Sequence, residues 1–550
     1  MLTKLKKIYR VLSRTERAAF AASVAIAAVT SVILAGTVIG KVTKAVAARG
    51  GSYSEGVVGQ PSFVNPVIAS NDADKSLVRL LFSNVMDLSE KVEPEGEGRV
   101  WVLRLKENLA WHDGEELTSD DVLFTVRKIQ DPDSRSPLFE SWQGVRLERV
   151  SSREVRFNLG NPYVFFASNL KNLYVLPKHL YEHIPVANWR ISEFNLKPVG
   201  SGPYVFDSYD TRPDGFITEY RIKPNGEYFD ARPFISNITF RFYQNKDELI
   251  HAFNGGRIDG LAGIEMRELE QIGRPYGVEY FQLPNYYAVF FNQNQNIALK
   301  EREVRRALAA AVDRQKLVAE IFKGRAAVVT GPIPHDTDLA RATIHASPAS
   351  ADAANEILED AKWARGETGI RETRVRNSAI HLELTLTVPD VPFLVRTAEY
   401  LKSAWEEIGA AIHINLVPLE EVADPIIKNR EYQMILFGNI LNAGSDLYSF
   451  WHSSERFHPG LNLSLYHNDK VDGLIESIRQ NFDVERAESL YRELQERIVE
   501  DFPAIFLYSP DYLYVTGKEL KGMSPRLITE PADRFSNIAD WHLKTKRVLK

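Results

Sequence analysis

An uncharged run from Ala18 to Gly40 constrains this chain more than any other feature. It carries Phe20, Val24, Ile26, Val29, Val32, Ile33, Leu34, Val38 and Ile39. As a helix it would be roughly 35 Å long, enough to cross a ~30 Å hydrocarbon core. Lys4, Lys6, Lys7, Arg10, Arg14 and Arg17 precede it, opposed only by Glu16. That bias makes residues 1–17 a cytoplasmic basic tail and residues 18–40 a single-pass anchor, with the bulk of the chain outside, periplasmic or at the cell surface. Lys41, Lys44 and Arg49, just past the run, weaken the orientation signal. Ala45-Val46-Ala47 supports a competing reading, a cleaved signal peptide. The run is longer than a usual signal core, which favours retention. A buried core helix is the third reading. Residues 41–52, with Gly50-Gly51, read as a flexible tether.

The remainder is too long for a single core, since the chain has 550 residues, so two or three lobes are expected. There are no cysteines, which excludes disulfides, thiolate metal sites, cysteine nucleophiles and a lipidated N-terminal cysteine. Net charge is −6, with acids and bases interspersed, so no clustered basic face points to nucleic acid.

Along the exported part, strands, helices and turn clusters alternate, the pattern of an α/β protein. Trp101 to Leu105 reads as a strand, and Thr118 caps a helix in which Val122, Val126 and Ile129 share a face. The clearest unit is a strand from His381 to Val388, then Leu394, Ala398, Leu401, Trp405 and Ile408 at helical spacing. Gly409 closes that helix, and a second strand follows through Ile412, Ile414 and Leu416. This βαβ unit requires parallel strands. A third strand, Gln433 to Phe437, leads into an expected loop from Gly438 to Gly444. That is the carboxyl end of a strand, where open α/β sheets bind ligands. Gly331 to Ser350 reads as a long surface connection.

Seven segments, in order, resemble family 5 solute-binding proteins, the dipeptide, oligopeptide and nickel receptors of ABC importers. They are Trp101 to Lys106 with Trp111-His112-Asp113-Gly114 to Val122; Pro198-Val199-Gly200-Ser201-Gly202-Pro203-Tyr204; Phe253 to Asp259; Phe291-Asn292; Val304 to Leu308 through Ala311 to Arg314; Ala361-Lys362-Trp363; and Asp501 to Ile505. The resemblance implies a bilobal periplasmic-binding-protein-like α/β fold with an extra subdomain, preceded here by the transmembrane helix. Domain I would comprise 53–75, 196–280 and 505–550, the extra subdomain 76–195, and domain II 281–504. It also implies a receptor without catalysis or cofactor, monomeric, partnered by a permease and ATPases, closing on a peptide or peptide-like solute. A metal chelate or a glycan is the rival ligand.

The ligand-contacting residues it suggests are Glu55 and Val57 at a strand edge of domain I, with Tyr286, Gly438, Asn439, Ile440, Leu441, Asp446 and Trp451 in domain II. Peptide receptors of the family carry an acid for the ligand's α-ammonium group in the loop after the third strand. Its place here falls on Ala443. Either Asp446 substitutes or that anchor is missing. Asp446 equally suits a helix cap, and Trp451 a packing role beneath the loop. Separately, His179-Leu180-Tyr181-Glu182-His183 matches an inverted zinc-peptidase motif. A zinc hydrolase would also need a third ligand, and none advertises itself.

Overall fold

The computed structural model describes residues 13–334, 349–375, 378–441, 446–517, 520–524 and 527–549. The apolar run forms a helix, Arg14–Val42. None of its most apolar stretch is buried against the rest of the molecule, which overturns the core-helix reading. A helix apolar on every side and uncovered suits lipid, by length and composition.

Lobe I is built on a seven-stranded sheet. Ser52–Val58 lies at its centre, parallel to both Gly260–Ala262 and Asn237–Tyr243. Glu55 and Val57 were expected on an edge. Glu55 instead pairs with Gly260 on one side and Phe240 on the other, so its backbone is spent on the sheet. Val57 lies past the end of the Gly260–Ala262 ladder and pairs only with Phe242.

A four-stranded antiparallel sheet, Ser89–Glu95, Val100–Leu105, Glu154–Asn158 and Arg146–Ser151, forms the extra subdomain. The helix Ser119–Ile129 packs beside it, buries Val122, Val126 and Ile129, and starts with a capping box between Thr118 and Asp121.

Two of the recognisable motifs meet at this subdomain. The backbone N–H of His112 donates to Gly200 O at 2.8 Å. The imidazole Nδ1 accepts from Gly200 N at 3.1 Å, and Nε2 donates to Gly202 O at 3.1 Å. Both glycines press against the helix end at Leu80 and Leu81. A Cβ on Gly200 would sit 1.8 Å from Leu81 O, and one on Gly202 2.6 Å from Leu80 O. The motif thus needs hydrogen atoms there and a neutral histidine with one donor and one acceptor nitrogen.

Lobe II carries a six-stranded sheet in the order Ala326–Val328, Ala504–Pro510, Asn285–Phe291, Met434–Ile440, Glu383–Pro389, Ala411–Val417. The βαβ unit is present as expected, with Leu384 opposite Ile412 and Leu386 opposite Ile414 in a parallel ladder. Its helix, Pro392–Glu407, buries Leu394, Ala398, Leu401 and Trp405, and Gly409 turns with φ +89°. The third strand runs on to Ile440, so Gly438, Asn439 and Ile440 are strand and not loop. Ala504–Pro510 belongs to this sheet, which carries lobe II past the expected boundary at residue 505. Most of Gly331 to Ser350, and residues 442–445 with Ala443, lie outside the described residues.

The chain passes between the two large sheets at Gln282–Pro284 and again at Asp511. Each lobe keeps its own cores, one pair around Leu103, Phe240 and Phe253, the other around Leu386, Trp405 and Trp451.

The tether expected over 41–52 is ordered. Thr43–Ala48 pairs antiparallel with Lys544–Leu549 along its whole length. Gly50 N donates to Phe234 O and Ser236 N to Gly51 O, docking this two-stranded stem on lobe I. Gly50 and Gly51 have φ of +120° and +95°, so they are fixed in conformations other residues avoid.

Burial holds the pKa of His112 down to about 4, partly opposed by its hydrogen bond to Gly202 and by Asp113. The unfolded chain takes up a proton near pH 6.5, the folded chain only near 4. Stability from this site is therefore full above pH 6.5 and declines as pH falls towards 4. The loss reaches about 3 kcal/mol. Urea titrations at stepped pH should show that slope, and His112→Gln should flatten it.

Candidate functional site

A cavity of about 930 Å³ opens between the extra subdomain and lobe II. Gln143, Asn161, Tyr163 and Asn169 line one wall, and Ile440, Tyr448, Phe450 and Arg479 the other. A smaller hollow of about 180 Å³ lies beside the crossings, between Glu265 and Tyr512 on lobe I and Tyr287, Phe393 and Arg396 on lobe II.

Asp446 stands at the larger cavity. Its Oδ1 accepts from the N–H of Tyr448 at 3.1 Å, although the cap position of the short helix Tyr448–Trp451 is Leu447 and not Asp446. Its Oδ2 accepts from the hydroxyl of Tyr163 at 2.9 Å and lies 3.2 Å from Nε of Arg479. The Arg479 guanidinium is held between two rings, 4.9 Å from the centroid of Tyr163 and 4.3 Å from that of Tyr448. Burial, with Asp446 beside it, pushes the Tyr163 phenol well up, so it stays a donor. Tyr163 belongs to lobe I and Asp446 to lobe II, so these contacts cross between lobes. The N–H of Val164 donates to Arg479 O at 2.8 Å in the same place. Phe482 covers Gly98, where a Cβ would lie 2.1 Å from its ring.

Other expected site residues are interior. Tyr286 is fully buried, and its hydroxyl accepts from Asn439 Nδ2 at 2.9 Å and from Trp451 Nε1 at 3.1 Å. This trio ties the strand Met434–Ile440 to the helix below it, so Tyr286, Asn439 and Trp451 are corrected from cleft to core. Trp451 takes its packing alternative. Alternation along the strand turns Tyr287, and not Tyr286, to the smaller hollow. Leu441 is buried, while Ile440 is exposed at the rim of the larger cavity.

Gly438 lies against the Tyr287 ring. The strand Met434–Ile440 pairs along its full length with Asn285–Phe291, but with Glu383–Pro389 only at Met434 and Ile435. From Phe437 to Ile440 its second edge meets no strand among the described residues.

Glu55 is fully buried. Its Oε1 accepts from Arg534 Nη2 at 2.9 Å and its Oε2 from the Tyr514 hydroxyl at 2.6 Å. Tyr514 is in turn 2.7 Å from the Tyr53 hydroxyl. Burial pushes the Glu55 carboxyl up, and Arg534 opposes that shift. The side chain is a structural anchor of lobe I.

His179 and His183 do not converge. His179 Nε2 is 2.8 Å from Asp113 Oδ2, whereas the largely exposed His183 lies 3.6 Å from Glu182. Among the described residues the one cluster with metal-ligand spacing is elsewhere, His467, Asp469 and Asp472 on the surface.

Tyr163, Tyr448, Arg479 and Phe482 escaped the sequence reading. Tyr163 and Asp446 are 283 positions apart, and no local pattern marks either as a partner of the other.

Two separately cored α/β lobes, crossed twice by the chain and facing one another over a solute-sized gap, define a bilobal binding protein. The chain belongs to the bacterial extracellular solute-binding proteins, family 5, whose model matches residues 84–458. It is 25% identical to the oligopeptide-binding protein AppA of Bacillus subtilis, over 90% of this chain and 92% of that protein. Among solved structures it resembles the ABC transporter substrate-binding protein CtaP of Listeria monocytogenes. There the TM-score is 0.76 at 23% identity, covering 90% of this chain and 99% of CtaP. It also resembles Bacillus subtilis AppA in complex with a nonapeptide, with a TM-score of 0.69 at 22% identity, covering 91% and 100%.

Two substitutions test these assignments. Arg534→Met strands the buried Glu55 carboxylate and should cost about 3–5 kcal/mol in chemical denaturation, most of it recovered by adding Glu55→Gln. Tyr163→Phe removes one cross-lobe hydrogen bond to a carboxylate, worth about 1.5–3 kcal/mol. It should shift the ligand-free protein towards an open form, seen as a larger radius of gyration in small-angle scattering.

Proposed function

We propose that this chain is a membrane-anchored, extracytoplasmic receptor of an ABC importer. It captures peptides or peptide-like solutes between its lobes and passes them to a permease driven by ATPases. The observation that carries this reading is the strand edge from Phe437 to Ile440, which meets no strand among the described residues and ends at the larger interlobe cavity. An extended ligand backbone adds to such an edge through groups common to all peptides, which makes recognition tolerant of sequence. Membership of an extracellular solute-binding family and the peptide-binding names of its relatives support the same reading. A ligand touching both Ile440 on lobe II and Tyr163 on lobe I favours closure, because only differential contact shifts the equilibrium.

Asp446 is already compensated. A ligand ammonium group would have to enter beside a guanidinium 3.2 Å away. The ligand is therefore held chiefly through its backbone and side chains, not through a charged amino terminus. The uncovered apolar stretch Arg14–Leu34 supports retention in the membrane, and a cut after Ala47 would remove most of one stem strand.

Mass spectrometry of small molecules released from gently purified protein tests the ligand class. A population of peptides of varied sequence is expected. One defined non-peptide compound, such as a metal chelate or a glycan, would overturn the peptide reading.

A further inference from the structure

Neither the stretch from Lys41 to Ser54 nor that from Trp541 to Leu549 contains an acidic residue. They hold Lys41, Lys44, Arg49, Lys544, Lys546 and Arg547, in a chain whose net charge is −6. Pairing of the stem strands brings these cations together although they are some 500 positions apart in sequence. Residues directly opposite each other in an antiparallel ladder share a face, and faces alternate along each strand. The register sets Lys44 opposite Val548, Val46 opposite Lys546 and Ala48 opposite Lys544. One face of the stem therefore presents Lys44, Lys544 and Lys546 around Val46 and Val548. The lysines are exposed, and among the described residues no acid pairs with any of the six cations.

The position of this face is as telling as its charge. The apolar helix ends at Val42 and the stem begins at Thr43, with no residue between them. Leu549 pairs with Thr43, so the second strand returns to the level at which the first one leaves the helix. The stem is roughly 20 Å long. Ammonium groups on long aliphatic arms, interleaved with valines, match the boundary between acyl chains and negatively charged headgroups. Each cation brought to an anionic bilayer surface strengthens partitioning about fivefold.

We propose that this face of the stem docks on anionic phospholipid headgroups, laying the stem against the bilayer and setting the orientation of lobe I above it. The proposal rests on the anchored reading given above. Because Gly50 and Gly51 are hydrogen-bonded into lobe I, an orientation imposed on the stem is transmitted to the binding lobe.

The test uses the full chain, which has no native cysteine to interfere, with a nitroxide at Val46→Cys. Bilayer discs are made of phosphatidylcholine alone or with ~30 mol % phosphatidylglycerol, both carrying a headgroup-bound nickel relaxant. Relaxation of the nitroxide should be at least threefold stronger in the anionic discs. The difference should disappear in about 0.5 M salt, and also in the triple variant Lys44→Gln, Lys544→Gln, Lys546→Gln. Neutralising Lys91, Arg104 and Arg149 on the extra subdomain should leave it intact. Equal relaxation in both lipids, or a difference that survives the triple variant, would overturn the proposal. Intact mass of the disc-bound chain separates this failure from that of the anchored reading. A chain beginning after Ala47 would sink both, whereas a full-length chain with lipid-independent relaxation would sink only the docking.

Discussion

Two bodies that bury most of their apolar residues separately are joined at the strand crossings near Pro284 and Asp511. Short links between separate cores permit rotation while limiting sliding. The crossings lie side by side: Ser509 Oγ, two residues before the second, donates to Leu283 O in the first. The cavity that suits a solute exists because the cores are separate. Contacts between Tyr163, Asp446 and Arg479 matter because they bridge bodies that the chain otherwise joins so sparingly.

Within each body, buried polar groups set the geometry that apolar packing leaves open. In lobe I, Glu55 and Arg534 bring a central strand and a distant short helix together through charge-assisted hydrogen bonds, with Tyr514 and Tyr53 completing the set. In lobe II, the Tyr286 hydroxyl collects Asn439 and Trp451 under the strand that leads to the cavity. Both arrangements commit the polar atoms of chemically attractive residues to the protein itself. Residue type alone therefore overstates their availability to a ligand.

The stem fixes how the apolar helix is joined to lobe I. Had residues 41–52 been free chain, the body could sample many orientations above the bilayer. On the anchored reading proposed above, a paired ladder fused to lobe I narrows that range.

Much of the architecture was legible because its causes are local. The uncharged run, the capping box at Thr118, the βαβ periodicity and the turn at Gly409 each arise from spacing or backbone preference within a few residues. The ordered family motifs extended this to a two-lobed receptor. What the sequence determined was thus the elements, the class and the apolar helix. Tertiary structure decided which tyrosine of the pair 286 and 287 is interior, that Glu55 is anchored by Arg534, that Asp446 meets Tyr163 and Arg479, and that Lys544–Leu549 pairs beside the apolar helix. Those outcomes depend on contacts between residues hundreds of positions apart, and a long-range partner leaves no periodic trace in the stretch that will meet it.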